Sequence, residues 1–268
     1  MRRELKQMET TLWNFREDAD QKAKLYEFYH LNSEHTARTQ SFNAPKMDYK
    51  LPETKEEERE TVWSVPYLED IPDDGFTLKD ALMKRRTSWD FHREVLTDNE
   101  LEKYLAYSFG VNDKKQNLLT YPSGGRLYPV EIYLIPTEKT VGKNKIFAKD
   151  YCLKYNPRTR NLEKQSRSDT DRVDTLISAT DIGPFTFSKA QFLVCLAGSP
   201  EVMKKKYHAL TYRLMHDECG HIGQNMMLAA GMMNLSVVPL GGFFEERIRQ
   251  FLNIAGTEKR VLYVLAVG

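Results

Sequence analysis

The chain has little of what usually gives chemistry away. Its cysteines number three, Cys152, Cys195 and Cys219, an odd and widely spaced set in apolar contexts. That pattern predicts buried, reduced thiols and no disulfide framework. No long hydrophobic run is present: the longest, Met226 to Met233, is far below the ~20 residues of a membrane-spanning helix. The opening MRRELKQMET has no apolar core of a secretory signal, so the expected location is cytoplasmic. Neither sign of charge dominates, since 39 Lys+Arg against 38 Asp+Glu leave a formal charge of +1. A surplus that small supplies neither a phosphate-neutralising surface nor a polybasic membrane patch, and neither nucleic acid nor membrane is an expected partner.

The common cofactor and metal signatures are missing as well. There is no G-x-G-x-x-G after a strand, no G-x-x-x-x-G-K-[ST], no H-E-x-x-H and no paired C-x-x-C. One cluster, His216-Asp-Glu-Cys-Gly-His221, has metal-ligand residue types. On a helix its two histidines stand about 140° apart and cannot meet on one ion, so no metal is expected. Ser123, in PSGG, does not have the G-x-S-x-G spacing of a hydrolase elbow.

What is there is a globular composition, 41% hydrophobic and 29% charged, in a length that permits a sizeable core. Residues 1 to about 36 carry apolar residues at helical spacing, and 38–75 are polar and proline-broken. We therefore expect an N-terminal helical arm and extended linker over 1–75, followed by the main domain over 76–268. In the latter, helices are predicted at LKDALMKRR, at Thr97–Phe109 behind a Thr97/Glu100 capping box, at Ser168–Ala179, Tyr207–Met233 and Glu245–Ile254. Strands are predicted at PVEIYLIP, IFAKDYCLKY, QFLVCLAG and RVLYVLAVG. Without a regular βαβ alternation this mixture points to α+β. The helix to Met233 becomes apolar on nearly every face, which predicts burial, either within the chain or against a second copy.

Four segments could carry chemistry. Arg85-Arg86-Thr87-Ser88 offers two guanidiniums and two hydroxyls, suited to a phosphate and its polyol, although arginines are more often simply solvated. Pro122-Ser123-Gly124-Gly125 is a tight corner before a strand, either a plain turn or a place where a flat ligand approaches backbone. Gln224-Asn225 lie in the most apolar helix, where they either tie the core together or address a buried ligand. Gly241-Gly242 form a second permissive corner ahead of a helix whose N-terminus favours an anion. Lys204-Lys205-Lys206, by composition, is a solvated run at a helix start.

In this order RRTS, YPSGGRLYPVEIYLI, KYHALTYR, HIGQN, PLGGF and the terminal apolar strand resemble the nitroreductase-like flavoenzymes. More narrowly they resemble the SagB-type dehydrogenases of peptide-heterocycle synthetases, to which the oxidase subunits of microcin-type synthetases belong. The resemblance covers residues 85–268, and YEFYHLNSEHT near the start is similar to an aromatic-His element of these enzymes. It departs at Trp89, where nitroreductases commonly carry another arginine. It implies an α+β nitroreductase-like fold with a central, mainly antiparallel sheet, flanking helices and a buried long helix. It further implies a homodimer with two FMN at the subunit interface, bound through Arg85–Ser88, Pro122–Gly125, Gln224, Asn225, Gly241 and Gly242. The implied reaction oxidises thiazolines and oxazolines of a heterocyclised precursor peptide to azoles, beside cyclodehydratase subunits, with Lys206 and Tyr207 as the catalytic pair. Two alternatives remain at this point: a general NAD(P)H-dependent flavin reductase of nitro compounds or quinones, and a non-catalytic scaffold subunit.

Overall fold

The structure, a computed structural model, describes residues 59–73, 75–167, 173–176 and 187–268. The expected N-terminal arm, the aromatic-His element and most of the linker lie outside the described residues. Nine strands are present among them: β1 (Thr61–Ser64), β2 (Val111–Asp113), β3 (Leu118–Leu119), β4 (Val130–Pro136), β5 (Tyr151–Asn156), β6 (Asn161–Arg167), β7 (Phe192–Gly198), β8 (Val237–Leu240) and β9 (Arg260–Val267). The α-helices are α1 (Leu78–Lys84), α2 (Asp98–Phe109), α3 (Val173–Leu176), α4 (Pro200–Tyr207), α5 (Thr211–Met233) and α6 (Glu245–Phe251).

Seven strands form one sheet in the order β1-β6-β5-β4-β7-β9-β8, and every pair is antiparallel. The α+β expectation therefore holds. Alternation along β4 divides the core: Val130, Ile132 and Leu134 face one apolar layer, Tyr133 and Ile135 the other. The first layer is roofed by α2 and α5 through Leu101, Tyr104, Leu105, Ile222, Met226 and Ala230. The second is closed by Ile248 of α6 and Leu252 after it. Strand β7 is buried at all seven positions, as befits a central strand covered on both faces. All three cysteines are buried free thiols.

Several local expectations are seen in atomic detail. Thr97 Oγ1 accepts the Glu100 amide at 3.3 Å, and the Glu100 carboxylate accepts the Thr97 amide at 3.0 Å, so the capping box of α2 is complete. Helix α1 has a second box, Thr77 with Asp80, that the sequence reading did not single out. Other expectations shift. Thr61–Ser64, within the expected linker, is one of the sheet's two edge strands, and Val65 behind it is fully buried. The strand expected from Ile146 begins at Tyr151, and of the helix expected over Ser168–Ala179 the described part is Val173–Leu176. The helix expected to run unbroken from Tyr207 is interrupted at His208 (φ 45°, ψ −122°), so that α4 ends there and α5 begins at Thr211. Among the described residues no helix is long and apolar enough to cross a membrane.

One ionic cluster sits against the second layer. The Glu131 carboxylate accepts from Lys154 Nζ at 2.8 Å and Lys259 Nζ at 2.9 Å, and from the Tyr133 hydroxyl. Burial opposes ionisation of Glu131, but the two ammonium groups and these hydrogen bonds outweigh it and hold the carboxyl at about 2. A carboxyl depressed in the folded state stabilises above its ordinary value near 4.5 and loses that contribution as pH falls toward 2. Glu131→Gln, which leaves two partly buried ammonium groups sharing no carboxylate, is expected to cost about 3 kcal/mol at pH 7. Urea midpoints measured from pH 7 down to pH 2 should show the gap to the unsubstituted protein closing; a gap independent of pH would refute the assignment.

Candidate active site

Most candidate residues lie beside helix α5, in two groups near its two ends. At its C-terminal end Gly231 lies under Arg85: a Cβ there would sit 2.9 Å from the Arg85 amide nitrogen. Only glycine allows so close an approach. Arg85 caps α1 with its own amide on the Ala81 carbonyl at 2.9 Å, and Arg86 Nη1 donates to the Met83 and Arg85 carbonyls at 3.0 and 2.7 Å. Those bonds fold the Arg86 guanidinium back over the end of α1. Thr87 bridges to Val237 at the start of β8, and the Ser88 hydroxyl lies 3.1 Å from that of Ser236. Arg86 and Thr87 are exposed and Arg85 is half-buried, so the group presents cationic donors on an open edge. Trp89, which stands where a further arginine was expected, turns inward and packs on Phe187 with ring centroids 5.6 Å apart. An apolar contact stands where the resemblance implied another arginine.

The second group gathers near the N-terminal end of α5. Gly125 adopts φ +63°, and a Cβ on it would meet Lys206 Nζ at 2.6 Å and the Tyr207 hydroxyl at 2.7 Å. The two side chains thus close on the glycine corner from the end of α4, with Lys206 Nζ 5.3 Å from the Tyr207 ring centroid. Gly124 faces Met203 and Leu214 in the same way. Lys204–Lys206 fall in the last turn of α4 and not at a helix start, because the chain breaks at His208. A non-glycine residue at that φ and ψ costs on the order of 1–3 kcal/mol, and strain of this kind collects at functional sites.

The remaining candidates divide. Asn225 is half-buried and donates Nδ2 to the Thr120 and Ser108 carbonyls at 3.0 and 3.3 Å, so it ties α5 to α2 and to the chain before the glycine corner. Gln224 is exposed, so the partner its expected burial demanded is not needed. Gly241 and Gly242 are exposed with open space around them. The helix after them, α6, carries Glu245 and Glu246 in its first turn. Two carboxylates there work against an anion, contrary to the expectation from the sequence. A cavity of about 1200 Å³ opens beside Tyr121, Tyr128, Glu131, Lys154 and Lys259, yet none of the candidate residues lines it. The candidates are half-buried or exposed and lie outside it.

A residue the sequence reading passed over is Glu218, only 2% exposed, whose Oε1 accepts the Val130 amide at 3.3 Å at the start of the strand that follows the glycine corner. Its signal was a carboxylate inside the apolar stripe of Met215, Cys219 and Ile222.

The model of the nitroreductase family matches residues 82–268. The chain belongs to the nitroreductase family. Members of this family are in general flavin-dependent oxidoreductases. A Methanocaldococcus jannaschii protein named as a nitroreductase is 29% identical over 185 residues, 69% of this chain and 88% of its own. The microcin B17-processing protein of Escherichia coli is 24% identical over 162 residues, 60% of this chain and 58% of its own. Among solved structures, an Anabaena variabilis nitroreductase superposes with a TM-score of 0.64 at 22% identity, over 90% of this chain and 46% of its own. This chain thus spans about half of that protein. A chain of the Escherichia coli microcin synthetase, solved with truncated pro-MccB17 bound, superposes with a TM-score of 0.60 at 19% identity, over 92% of this chain and 91% of its own.

Gly125→Ala puts a methyl group where Lys206 Nζ and the Tyr207 hydroxyl now lie and forces alanine to positive φ. The expected loss is about 1 kcal/mol, or roughly 2–4 °C in Tm. Lys206 should also acetylate faster in the variant, read by mass spectrometry. Unchanged labelling would mean that the amine does not rest on this corner.

Proposed function

We propose that this nitroreductase-family protein binds FMN and oxidises the thiazoline and oxazoline rings of a heterocyclised precursor peptide to thiazoles and oxazoles, within a synthetase that includes a cyclodehydratase. The observation that carries the reading is the closure of Lys206 and Tyr207 on Gly125, which joins the two motifs most particular to the SagB-type dehydrogenases at one place. Similarity to the microcin B17-processing protein supports it.

The residues present fit the cofactor. Arg85, Arg86 and Thr87 present charged and polar donors on an open edge, suited to a phosphate. Gly124 and Gly125 carry no Cβ and Gly125 is exposed, so backbone at this corner is open to the edge of a flat ring beside Lys206 and Tyr207. Bound FMN would supply the acceptor for a hydride leaving one ring carbon of the azoline. This chain must then remove a proton from the neighbouring ring carbon, so that two electrons and two protons leave and the ring becomes aromatic. Lys206 and Tyr207 are the groups placed to take that proton or to orient the ring.

The two groups are separated by about 20 Å along α5, at 1.5 Å per residue from Glu218 to Gly231. A homodimer that sets the α5 helices antiparallel across a two-fold axis brings the arginines of one chain toward the glycine corner of the other. Two surface features support that arrangement. Tyr212, His216, Gly220 and Gln224 form an exposed stripe along α5 at four-residue spacing, and Leu78, Leu82 and Met83 of α1 are 69%, 52% and 67% exposed.

The protein is therefore expected to purify yellow, as a dimer. Arg86→Ala should weaken FMN binding tenfold or more, the scale of one charge-assisted bond to phosphate. Flavin absorbance and light scattering check both; a colourless monomer that takes up no added FMN would sink the reading. Lys206→Ala and Tyr207→Phe are expected to keep flavin and dimer but to lose about 10²-fold or more in azole formation, followed as a loss of about 2 Da per ring. Near-normal oxidation in both variants would place the base elsewhere. The likeness to the Methanocaldococcus jannaschii nitroreductase favours a second reading, a general flavin reductase. Rapid turnover of NADH or NADPH with a nitro compound or quinone, and none with azolines, would select it.

A further inference from the structure

The cavity of about 1200 Å³ has no part in the reading above, yet it abuts both elements that form the Lys206–Tyr207 group. Leu127, Tyr128 and Pro129, which follow the glycine corner, line it. So do Ser199, Glu201 and Val202, at the start of the helix that ends in Lys206 and Tyr207. From Glu201 to Lys206 that helix rises about 8 Å, at about 1.5 Å per residue.

The cavity floor includes part of the second face of the sheet. Toward β7 and β9 that face is apolar, with Cys195, Ala197 and Val264 in the core layer. Toward β5 and β6 it turns polar: Glu131, Lys154, Asn156 and Glu163 share one face, because Lys154 pairs with Tyr133 and Glu163 with Lys154. Side chains of that kind are not the lining of a core. The wall formed by residues 253–259 is built in advance. Arg249 Nη2 donates to the Ala255 and Thr257 carbonyls at 2.7 and 2.9 Å, Gln165 Nε2 donates to the Leu252 carbonyl at 2.7 Å, and Lys204 Nζ pairs with Glu258 at 2.7 Å.

Charge and size select the occupant. Lys154 and Lys259 share the Glu131 carboxylate, which leaves one net positive charge on the floor, and their side chains are 16% and 21% exposed. Each ammonium group has three N–H donors and spends one on Glu131; neither has another partner among the described residues. The rest of the lining sets Arg59, Arg158, Arg249 and Arg260 against Glu163, Glu201 and Glu258, a surplus of cations in a chain whose total charge is only +1. The volume exceeds the roughly 300–1,000 Å³ of small-ligand pockets and suits several residues of an extended chain. We propose that this cavity is an exosite for an acidic stretch of the precursor peptide, held there while a ring further along the peptide reaches Lys206 and Tyr207. The identity of the peptide rests on the reading above, whereas the cationic cavity stands by itself. An extended chain advances about 3.3–3.6 Å per residue, so about three residues or more must separate the carboxylates from the ring.

The test measures fluorescence anisotropy on the full chain, with a labelled synthetic peptide that carries two glutamates four residues from a thiazole. That peptide should bind about tenfold more tightly than its glutamine counterpart, and the difference should shrink as salt is added. Lys259→Gln and Arg260→Glu should each remove most of the difference. The second, at an exposed position, keeps the test decisive should the first disturb the Glu131 cluster. Bound peptide should also slow acetylation of Lys206, read by mass spectrometry, whereas a peptide with the glutamates next to the thiazole should not. Equal affinity for the glutamate and glutamine peptides, variants that bind as the unsubstituted chain does, Lys206 left unprotected, or an oligonucleotide of equal charge binding as tightly would each overturn the proposal. Binding needs no flavin, so the expected peptide binding by a chain that takes up no FMN would count against the flavin reading alone.

Discussion

Helix α5 lies flat against the sheet, and nearly every group with chemical potential is positioned by a contact to it. Ile222 and Met226 fill the first apolar layer, and that packing fixes the helix in rotation as well as position. Three side contacts then follow at fixed heights. Glu218 accepts the Val130 amide, Asn225 bonds the Thr120 and Ser108 carbonyls, and Gly231 admits the backbone of Arg85. A small rotation of the helix would move all three together, because a packed core does not deform continuously.

The same arrangement keeps the two groups of candidate residues apart. The helix separates the arginine group from the Lys206–Tyr207 group, and the cavity at the ends of the strands includes neither. A site that spans both groups needs a surface supplied from outside the chain, which agrees with large apolar side chains left exposed on α1. Chain breaks and positive φ values are concentrated around the second group, at Gly125, Arg126, Tyr128 and His208. Backbone that departs this far from regular geometry is held by its neighbours, and here the neighbours include Lys206 and Tyr207.

Much of the fold was legible in the sequence. The apolar run of β7, the alternation of β4 and the Thr97/Glu100 box are local patterns, and each depends on residues within a few positions of one another. Edge strand β1 was not legible, because a four-residue segment with half-exposed side chains carries no period of its own and is defined only by its partner β6. Likewise, nothing within KKKYHALTYR marks the break at His208, a residue type that does not ordinarily stop a helix.

By itself, then, the sequence determined the element types, the two-sided burial of the central strands and the inventory of candidate groups, since these follow from periodicity and residue chemistry. Only the tertiary structure decided which candidates meet. Lys206 and Tyr207 lie about eighty positions beyond Gly125 and reach it because β7, which leads into α4, pairs with β4, which follows the corner, while Gln224 turns to solvent and Asn225 inward because adjacent helix positions differ by about 100°. Trp89 and Glu218 show the same division: neither residue type says what it packs against, and the fold lays the one partly buried on Phe187 and makes the other a buried acid.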